Sequence, residues 1–165
     1  MSVLGHRNSE QSVASASSPR RVLAIDYGRR RIGLALSDEL GLTAQPLAVL
    51  IRKNRLADLK RLHEICERHS VRHIIVGLPL HMTGERSEMA DEASRFAARL
   101  TKALKIETEM IDERLTSWEA RQSISEAGGR SATKRESVDD VAAAVLLRDY
   151  LEHRRETTSS AAERA

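Results

Sequence analysis

The chain has 165 residues, of which 41% are hydrophobic and 31% charged, a balance typical of one globular domain with a substantial core. No segment reaches the roughly 20 apolar residues of a membrane span, and the N-terminus lacks an apolar signal-peptide core, so we expect a cytoplasmic protein without a membrane partner. A single cysteine excludes an intramolecular disulfide, and a formal net charge of +3 does not by itself indicate nucleic-acid binding.

The predicted fold begins with a β-hairpin. The apolar run Val22–Ile25 predicts a central strand that is buried on both faces, and this run stops at the carboxylate of Asp26. Gly28 permits a tight turn, and residues 29–31 are three consecutive arginines that lead into a second strand. An acidic residue at the end of a buried strand, surrounded by arginines, indicates either a metal-assisted site for phosphates or a carboxylate that simply pairs with an arginine.

The rest of the chain predicts alternating strands and helices. The spacing of apolar residues, together with helix caps, glycines and prolines, indicates where each element begins and ends. Strands are predicted at 47–51, 73–79 and 107–111. Helices are predicted at 54–70, from Ser87 onwards and at 116–128, and a mobile segment at 128–136 precedes a last helix opened by a capping box at 137–140. Three antiparallel strands followed by crossover units predict the α/β class, with a mixed five-stranded sheet flanked by helices.

Both ends of the chain predict segments outside the domain. Residues 1–19 are rich in serine and poor in apolar residues, which predicts a disordered N-terminal leader. The domain is expected to span residues 20–156, and the polar residues 157–165 predict a flexible C-terminal tail.

The first predicted helix carries two further features. Arg52 and Lys53, with other basic residues up to Arg61, predict a basic face that is solvated surface. Cys66 has helical spacing from Leu59 and Leu62, which predicts a small buried residue rather than a nucleophile.

Acidic residues occur at three places that this topology brings to one edge of the sheet. Asp26 ends the first strand, Asp112 and Glu113 end the last strand, and Asp139 and Asp140 stand at the start of the last helix. Strand carboxyl ends gather at one edge, where ligands usually bind. Converging carboxylates repel one another unless cations join them, and Mg²⁺ or Mn²⁺ prefers such oxygen ligands. A pair of such ions roughly 4 Å apart promotes phosphodiester hydrolysis.

Each acidic residue also has a purely structural interpretation. Asp139 and Asp140 favour the positive end of their helix, and Asp140 also fits a reciprocal cap. Asp112 or Glu113 could pair with Arg114. The functional interpretation therefore depends on the coincidence of the acidic residues rather than on any one of them.

Four segments together resemble the YqgF family of pre-16S rRNA nucleases, which are related to Holliday-junction resolvases. They are Ile25–Gly28 with Arg31–Ala35, Val76–Pro79 with Gly84, Asp112–Thr116, and Val138–Asp139 leading to Tyr150–Leu151. Their order and spacing cover residues 20–153. The resemblance implies an RNase H-like fold and a hydrolase that processes the 5′ end of the 16S rRNA precursor.

The resemblance also implies which residues form the site. Asp26, Glu113 and Asp139 would be the catalytic, metal-binding carboxylates, and the supporting residues would be Gly28, Asp112 and Thr116. Where related resolvases carry an acid at the end of the fourth strand, this chain has Gly77–Pro79, so Glu113 would substitute. The backbone phosphates would be bound by the basic residues Arg29, Arg30, Arg31, Arg114, Lys134 and Arg135.

The sequence therefore predicts a Mg²⁺- or Mn²⁺-dependent nuclease that acts on structured precursor rRNA, with ribosome-assembly intermediates as possible partners, as a monomer or homodimer. Three alternatives stay open: a resolvase of branched DNA, a non-catalytic nucleic-acid-binding factor in ribosome assembly or transcription, and an ATP-binding relative of the sugar-kinase fold. The last is disfavoured because one domain of this size is too small for a two-lobed nucleotide cleft.

Overall fold

The computed structural model describes residues 21–78, 87–112 and 134–163, with the backbone alone for 134–140 and 161–163. Its elements, in chain order, are β1 (Arg21–Tyr27), β2 (Arg31–Ser37), β3 (Ala44–Ile51), α1 (Arg55–Arg68), β4 (Val71–Leu78), α2 (Glu88–Leu104), β5 (Glu107–Asp112) and α3 (Lys134–Glu163). Among these residues no helix combines the length and the apolar character needed to cross a membrane. The predicted leader, the predicted loop at 81–86 and the predicted helix at 116–128 lie outside the described residues.

The five strands form one mixed sheet in the order β3-β2-β1-β4-β5. β1 pairs with β2 and β2 with β3 in the antiparallel sense, whereas β4 lies parallel to both β1 and β5. The predicted mixed sheet is therefore confirmed, with its first three strands antiparallel. β3 begins at Ala44, earlier than predicted, and Pro46 is tolerated inside it because β3 is an edge strand.

β1 is buried on both faces, as its unbroken apolar sequence predicts. Leu23 and Ile25 belong to the core under α1 and α2, which contribute Leu62 and Phe96 to it. The alternate residues of β1 face the second core, where α3 covers the sheet. Side chains 22–25 of β1 are all fully excluded from solvent, so this strand is the centre around which both helical layers pack.

The sequence also predicts two helix starts correctly. Asn54 accepts a hydrogen bond from the Ala57 amide at 2.9 Å, and Ser87 accepts one from the Ala90 amide at 3.0 Å. Cys66 lies buried in α1, as predicted, and burial raises the pKa of its thiol to about 11.

The last helix differs from its prediction at both ends. α3 begins at Lys134, so Ser137 lies inside the helix rather than at its N-cap, and residues 134–136 are helical rather than part of a mobile segment. Lys, Arg and Glu are good helix formers and extend the helix upstream.

At the other end α3 continues to Glu163, beyond the predicted domain boundary at 156. Thr157 and Thr158 return their hydroxyl hydrogen bonds to carbonyls one turn earlier, and Arg155 donates to the Leu42 carbonyl. These bonds give hydrogen-bond partners to polar side chains of the segment whose composition predicted a tail. The end of the domain itself stays a prediction.

A polar cluster fastens α3 to the sheet. The Tyr150 hydroxyl lies 3.0 Å from His73 Nε2 and donates to Glu109 at 3.2 Å, and the His73 and Tyr150 rings stack. Burial of the hydroxyl and the nearby Glu109 carboxylate raise the pKa of Tyr150 to about 12.

We expect this raised pKa to lower stability at alkaline pH. A tyrosine in the unfolded chain has a pKa of ~10, whereas the pKa of Tyr150 in the folded protein is about 12. Its contribution is therefore intact below pH ~10 and lost as the pH rises towards 12. Tyr150→Phe should be less stable at neutral pH but should show a weaker decline between pH 10 and 12. Urea unfolding across that range measures this, and parallel curves for the two proteins would contradict it.

Candidate functional site

The carboxyl ends of three parallel strands meet at one edge of the sheet. Ile25 of β1 pairs with Val76 of β4, which pairs with Met110 of β5, and two residues further Leu78 pairs with Asp112. Asp26 and Asp112 are therefore brought to the same edge, as the topology predicted. We call it the carboxyl edge: the ends of β1, β4 and β5 beyond this row.

Asp26 lies on the α3 side of the sheet. Side chains alternate along a strand, so Asp26 shares the face of Val22 and Ala24, which pack beneath α3. By the same alternation Asp112 shares the opposite face with Met110, which packs in the core under α1 and α2. The two carboxylates thus leave the sheet on different sides, which separates Asp112 from a site centred on Asp26.

Two glycines flank Asp26, one on each neighbouring strand. Gly33 of β2 is its register partner, and Gly77 of β4 follows Val76, the partner of Ile25. Both glycines are buried. A strand glycine weakens the strand and often marks close approach of a ligand. No side chain of β2 or β4 therefore lies directly opposite Asp26, and nothing local in the sequence indicates this role for either glycine.

α3 runs antiparallel to β1, with its N-terminal half towards the carboxyl edge. Its later residue Arg155 contacts Leu42, in the β2–β3 connection at the other end of the sheet, and Tyr150 contacts His73 near the start of β4. Position 139 precedes Tyr150 by eleven residues, about 16 Å along a helix. His73 precedes Leu78 by five residues, about 16 Å along a strand. The backbone of Asp139 therefore lies at the level of the carboxyl edge.

The remaining predicted residues are only partly described. Glu113, Arg114 and Thr116 lie outside the described residues, and Lys134 and Arg135 are described as the first backbone positions of α3. Among the side chains that the structure covers, no group of three or more potential metal ligands comes together. The predicted triad of Asp26, Glu113 and Asp139 therefore stays a prediction.

The turn after β1 depends on Gly28. A Cβ atom placed there would lie 2.5 Å from the Arg31 carbonyl oxygen, so the tight turn excludes any larger residue.

The arginines after Gly28 have different surroundings. Arg29 forms ion pairs with Glu88 at 3.1 Å and Glu92 at 2.8 Å, which join the hairpin to α2. Hydrogen bonds to Glu92 and Glu88 raise the pKa of Arg29, and the bond from Arg29 lowers the pKa of Glu92. Arg30 is exposed and Arg31 is partly buried. Arg29 thus has intramolecular partners that the sequence did not predict, whereas Arg30 is accessible to phosphates.

A partly buried ion pair, between Arg52 and Asp58, supports this turn. Arg52 donates to the Tyr27 hydroxyl at 2.8 Å, to the Gly28 carbonyl at 3.2 Å and to Asp58 at 3.2 Å, and its guanidinium covers the Tyr27 ring at 5.0 Å. Asp58, which is 3% exposed, also accepts from the Lys53 amide at 3.0 Å.

The prediction of a solvated basic face is therefore wrong for Arg52. A charge run in sequence does not reveal which member has an aromatic ring and a carboxylate beside it. The i to i+6 spacing to Asp58 crosses the end of β3 and the start of α1, so it matches neither a strand nor a helix pattern.

Comparisons with known proteins agree with this architecture. The RuvX family model, described as Holliday junction resolvase, matches residues 20–153. A relative from Koribacter versatilis, named "Putative pre-16S rRNA nuclease", is 44% identical over 134 residues, which are 81% of this chain and 88% of the relative. A relative of the same name from Syntrophomonas wolfei is 40% identical over 132 residues, covering 80% and 94%.

One solved structure supports the fold. RuvC from T. thermophilus, in complex with a Holliday junction substrate, superposes with a TM-score of 0.51 at 16% identity, over 81% of this chain and 96% of that chain. At this identity the likeness concerns the fold alone, and it confirms the expected RNase H-like architecture.

Proposed function

The chain belongs to the RuvX family, to which its motifs pointed under the name YqgF, and we propose that it is a divalent-metal-dependent nuclease that processes the 5′ end of precursor 16S rRNA in the cytoplasm. The observation that carries the proposal is the placement of Asp26. A partly buried carboxylate lies one residue before the end of the central strand, between two glycines, on the face that α3 covers. The two glycines leave room beside the carboxylate that larger side chains would fill.

The donor chemistry of this edge fits a divalent cation. Asp26 offers hard oxygen atoms, and the neighbouring glycines leave space beside them. In the proposal Asp26, Glu113 and Asp139 hold Mg²⁺ or Mn²⁺, which would activate water and stabilise the leaving oxygen of the phosphodiester. Asp112 is not needed as a fourth ligand, because strand alternation directs it to the opposite face of β5 from Asp26.

The chain's own residues have three further tasks in this proposal. Glu113, which directly follows β5 in the chain, orients the attacking water. Arg30 and Arg31, together with Arg114, Lys134 and Arg135, bind the phosphates on both sides of the scissile bond. Gly28 and Thr116 support the turn and the loop that carry these groups. The partner is a structured precursor RNA, free or within a ribosome-assembly intermediate, and the protein acts as a monomer or homodimer.

Branched DNA is a second candidate substrate, because the matching family model carries the description Holliday junction resolvase. A direct comparison separates the two. The protein would be incubated with a precursor RNA that contains the 16S 5′ leader and, in parallel, with a four-way DNA junction of matched length. Faster cleavage of the RNA at defined positions supports the first function, and symmetric cutting of the junction supports the second.

Removal of the metal tests the reaction class. We expect EDTA to abolish cleavage of the RNA and added Mg²⁺ or Mn²⁺ to restore it, whereas Ca²⁺ should support binding with little cleavage, since it tolerates irregular coordination and positions water poorly. Product formation on denaturing gels measures this. Cleavage that persists unchanged in EDTA, or RNA binding without cleavage under any metal, would contradict the proposed nuclease; the second result favours a non-catalytic binding factor.

A further inference from the structure

A basic cleft lies on the α1/α2 side of the sheet, adjoining the carboxyl edge. It has a volume of about 480 Å³ and is lined by Tyr27, Arg29, Arg52, Lys53, Asn54, Asp58, Glu92, Arg95 and Arg99. Five of these side chains are cationic and two are anionic, so the excess of positive charge in this one cleft equals the formal net charge of the whole chain, +3. The described lining of the cleft therefore carries an excess of positive charge.

Two of the five cations have intramolecular roles. Arg52 is held by Asp58 and Tyr27, and Arg29 is paired with Glu92 and Glu88. These pairs also neutralise both acidic side chains of the cleft. Lys53, Arg95 and Arg99 are exposed, and none of them forms an ion pair with another residue in the described ranges. Their charges are thus available to an external anion.

The arrangement of these three residues suits an extended anion. Arg95 and Arg99 lie one turn apart on α2, about 6 Å along its axis, and Lys53 faces the same cleft from the connection between β3 and α1. The one aromatic ring of the cleft, that of Tyr27, is covered by the Arg52 guanidinium. No ring in the described lining is therefore free to stack on a base, which favours contacts to backbone phosphates over readout of bases.

We propose that Lys53, Arg95 and Arg99 form a second binding site for the phosphate backbone of the nucleic-acid substrate. The inference rests on the proposed function for the identity of the ligand. Tyr27 and Arg29, which line the cleft, lie one and three residues after Asp26. A nucleic-acid strand that is bound at Asp26 on the α3 face can therefore cross the carboxyl edge and reach the cleft. Phosphate contacts in the cleft would add affinity without sequence preference.

Binding measured without metal tests this inference separately from catalysis. The protein would be titrated, in EDTA, into each of two fluorescent RNA hairpins of unrelated sequence that carry a single-stranded tail. The salt concentration would be varied from about 50 to about 300 mM, a range over which counterion release is measurable. For Arg95→Gln/Arg99→Gln we expect Kd to rise about tenfold at the lowest salt for both hairpins. The negative slope of the logarithm of the association constant against the logarithm of the salt concentration should become shallower by about two. Lys53→Gln should lower the slope by about one.

A matched charge change at the opposite edge serves as the control. Arg68 ends α1 and Arg72 lies at the start of β4, and both are exposed. Arg68→Gln/Arg72→Gln removes the same charge, so its Kd should change by less than about twofold and its slope should stay the same. Gln is a good helix former, so α2 should persist in the test variant, and circular dichroism checks this.

The outcomes distinguish the two proposals. Equal Kd values and slopes for the test and control variants overturn the cleft as a binding site, even if the wild type cleaves RNA with Mg²⁺. Failure of the wild type to bind either hairpin in EDTA overturns it as well. Loss of binding in the Arg95/Arg99 variant, with no cleavage by the wild type under any metal, supports the cleft while the nuclease proposal fails.

Discussion

Asp26→Asn is expected to abolish metal-dependent cleavage while leaving the fold intact. The substitution keeps the shape of the side chain but removes the charge that, in the proposed mechanism, holds the cation near the end of β1. We expect the cleavage rate to fall by about a thousandfold or more, equivalent to ~4 kcal/mol of transition-state stabilisation. Single-turnover cleavage of the precursor RNA, with enzyme in excess, measures the chemical step without the contribution of product release.

Metal binding provides a second measurement for the same variant. The wild type should gain thermal stability on addition of Mn²⁺, because a ligand that binds only the folded state stabilises it, and Asp26→Asn should lose this gain. Without metal the variant should remain folded, because Asn keeps the size and shape of the Asp side chain, and circular dichroism checks this.

Asp38→Asn is the matched control for this substitution. Asp38 follows β2 at the opposite edge of the sheet, where its carboxylate accepts hydrogen bonds from the Leu42 and Thr43 amides. The amide oxygen of Asn can keep both bonds, so cleavage and the Mn²⁺ effect should persist. Full cleavage activity in Asp26→Asn, or an equal loss in Asp38→Asn, would remove Asp26 from the mechanism.

The framework of the fold follows from local sequence signals. Val22–Ile25 can satisfy both of its faces only at the centre of a sheet, and Asn54 and Ser87 each cap a helix through a hydrogen bond that is only three residues long. These are short-range causes, so one sequence suffices to predict them. The carboxyl edge follows as well, since parallel strands joined by helical crossovers must end on the same side.

The features that the sequence did not predict depend on contacts between distant residues. Gly33 and Gly77 acquire their importance only when strand order places both beside Asp26, and nothing local distinguishes them from other strand glycines. The start of α3 was displaced because Ser137 and Asp140 imitate a capping box inside a segment whose helix propensity continues upstream.

The alternation along β5 assigns Asp112 to the face opposite Asp26, and the sequence alone could not predict this. The assignment requires the register of β5 against β4, which one residue of slippage would have reversed. The sequence therefore narrows the site to a set of acidic residues, whereas the register selects among them.

Asp58→Ala is expected to cause the largest loss of stability. It removes the buried partner of a partly buried ion pair and leaves the Arg52 guanidinium without its carboxylate, together with an unsatisfied Lys53 amide. Because the Arg52 side chain is 22% exposed, water compensates part of the loss, and we expect a cost of about 2–3 kcal/mol. This cost lowers the melting temperature by roughly 5–10 °C in a domain of this size. Urea unfolding measures the free energy, and the midpoint should fall without a change in the slope m.

An exposed ion pair in the same protein is the control. Arg21 and Glu39 lie 3.1 Å apart, but the side chain of Glu39 is 84% exposed, so Glu39→Ala should cost less than about 1 kcal/mol. If Asp58→Ala destabilises the protein no more than Glu39→Ala does, the Arg52 pair is not a structural support.

A double substitution separates the pair from the space that it fills. Replacing Arg52 by Met and Asp58 by Leu together removes both charges and retains apolar volume, so much of the lost stability should return. The rate of RNA cleavage should nevertheless be lower than in the wild type, because the double variant lacks the hydrogen bonds that Arg52 donates to the Tyr27 hydroxyl and the Gly28 carbonyl. Those bonds fix the turn that follows Asp26, and a loosened turn misplaces the carboxylate. Recovery of both stability and cleavage would mean that the ion pair supports the core but does not position Asp26 at the carboxyl edge.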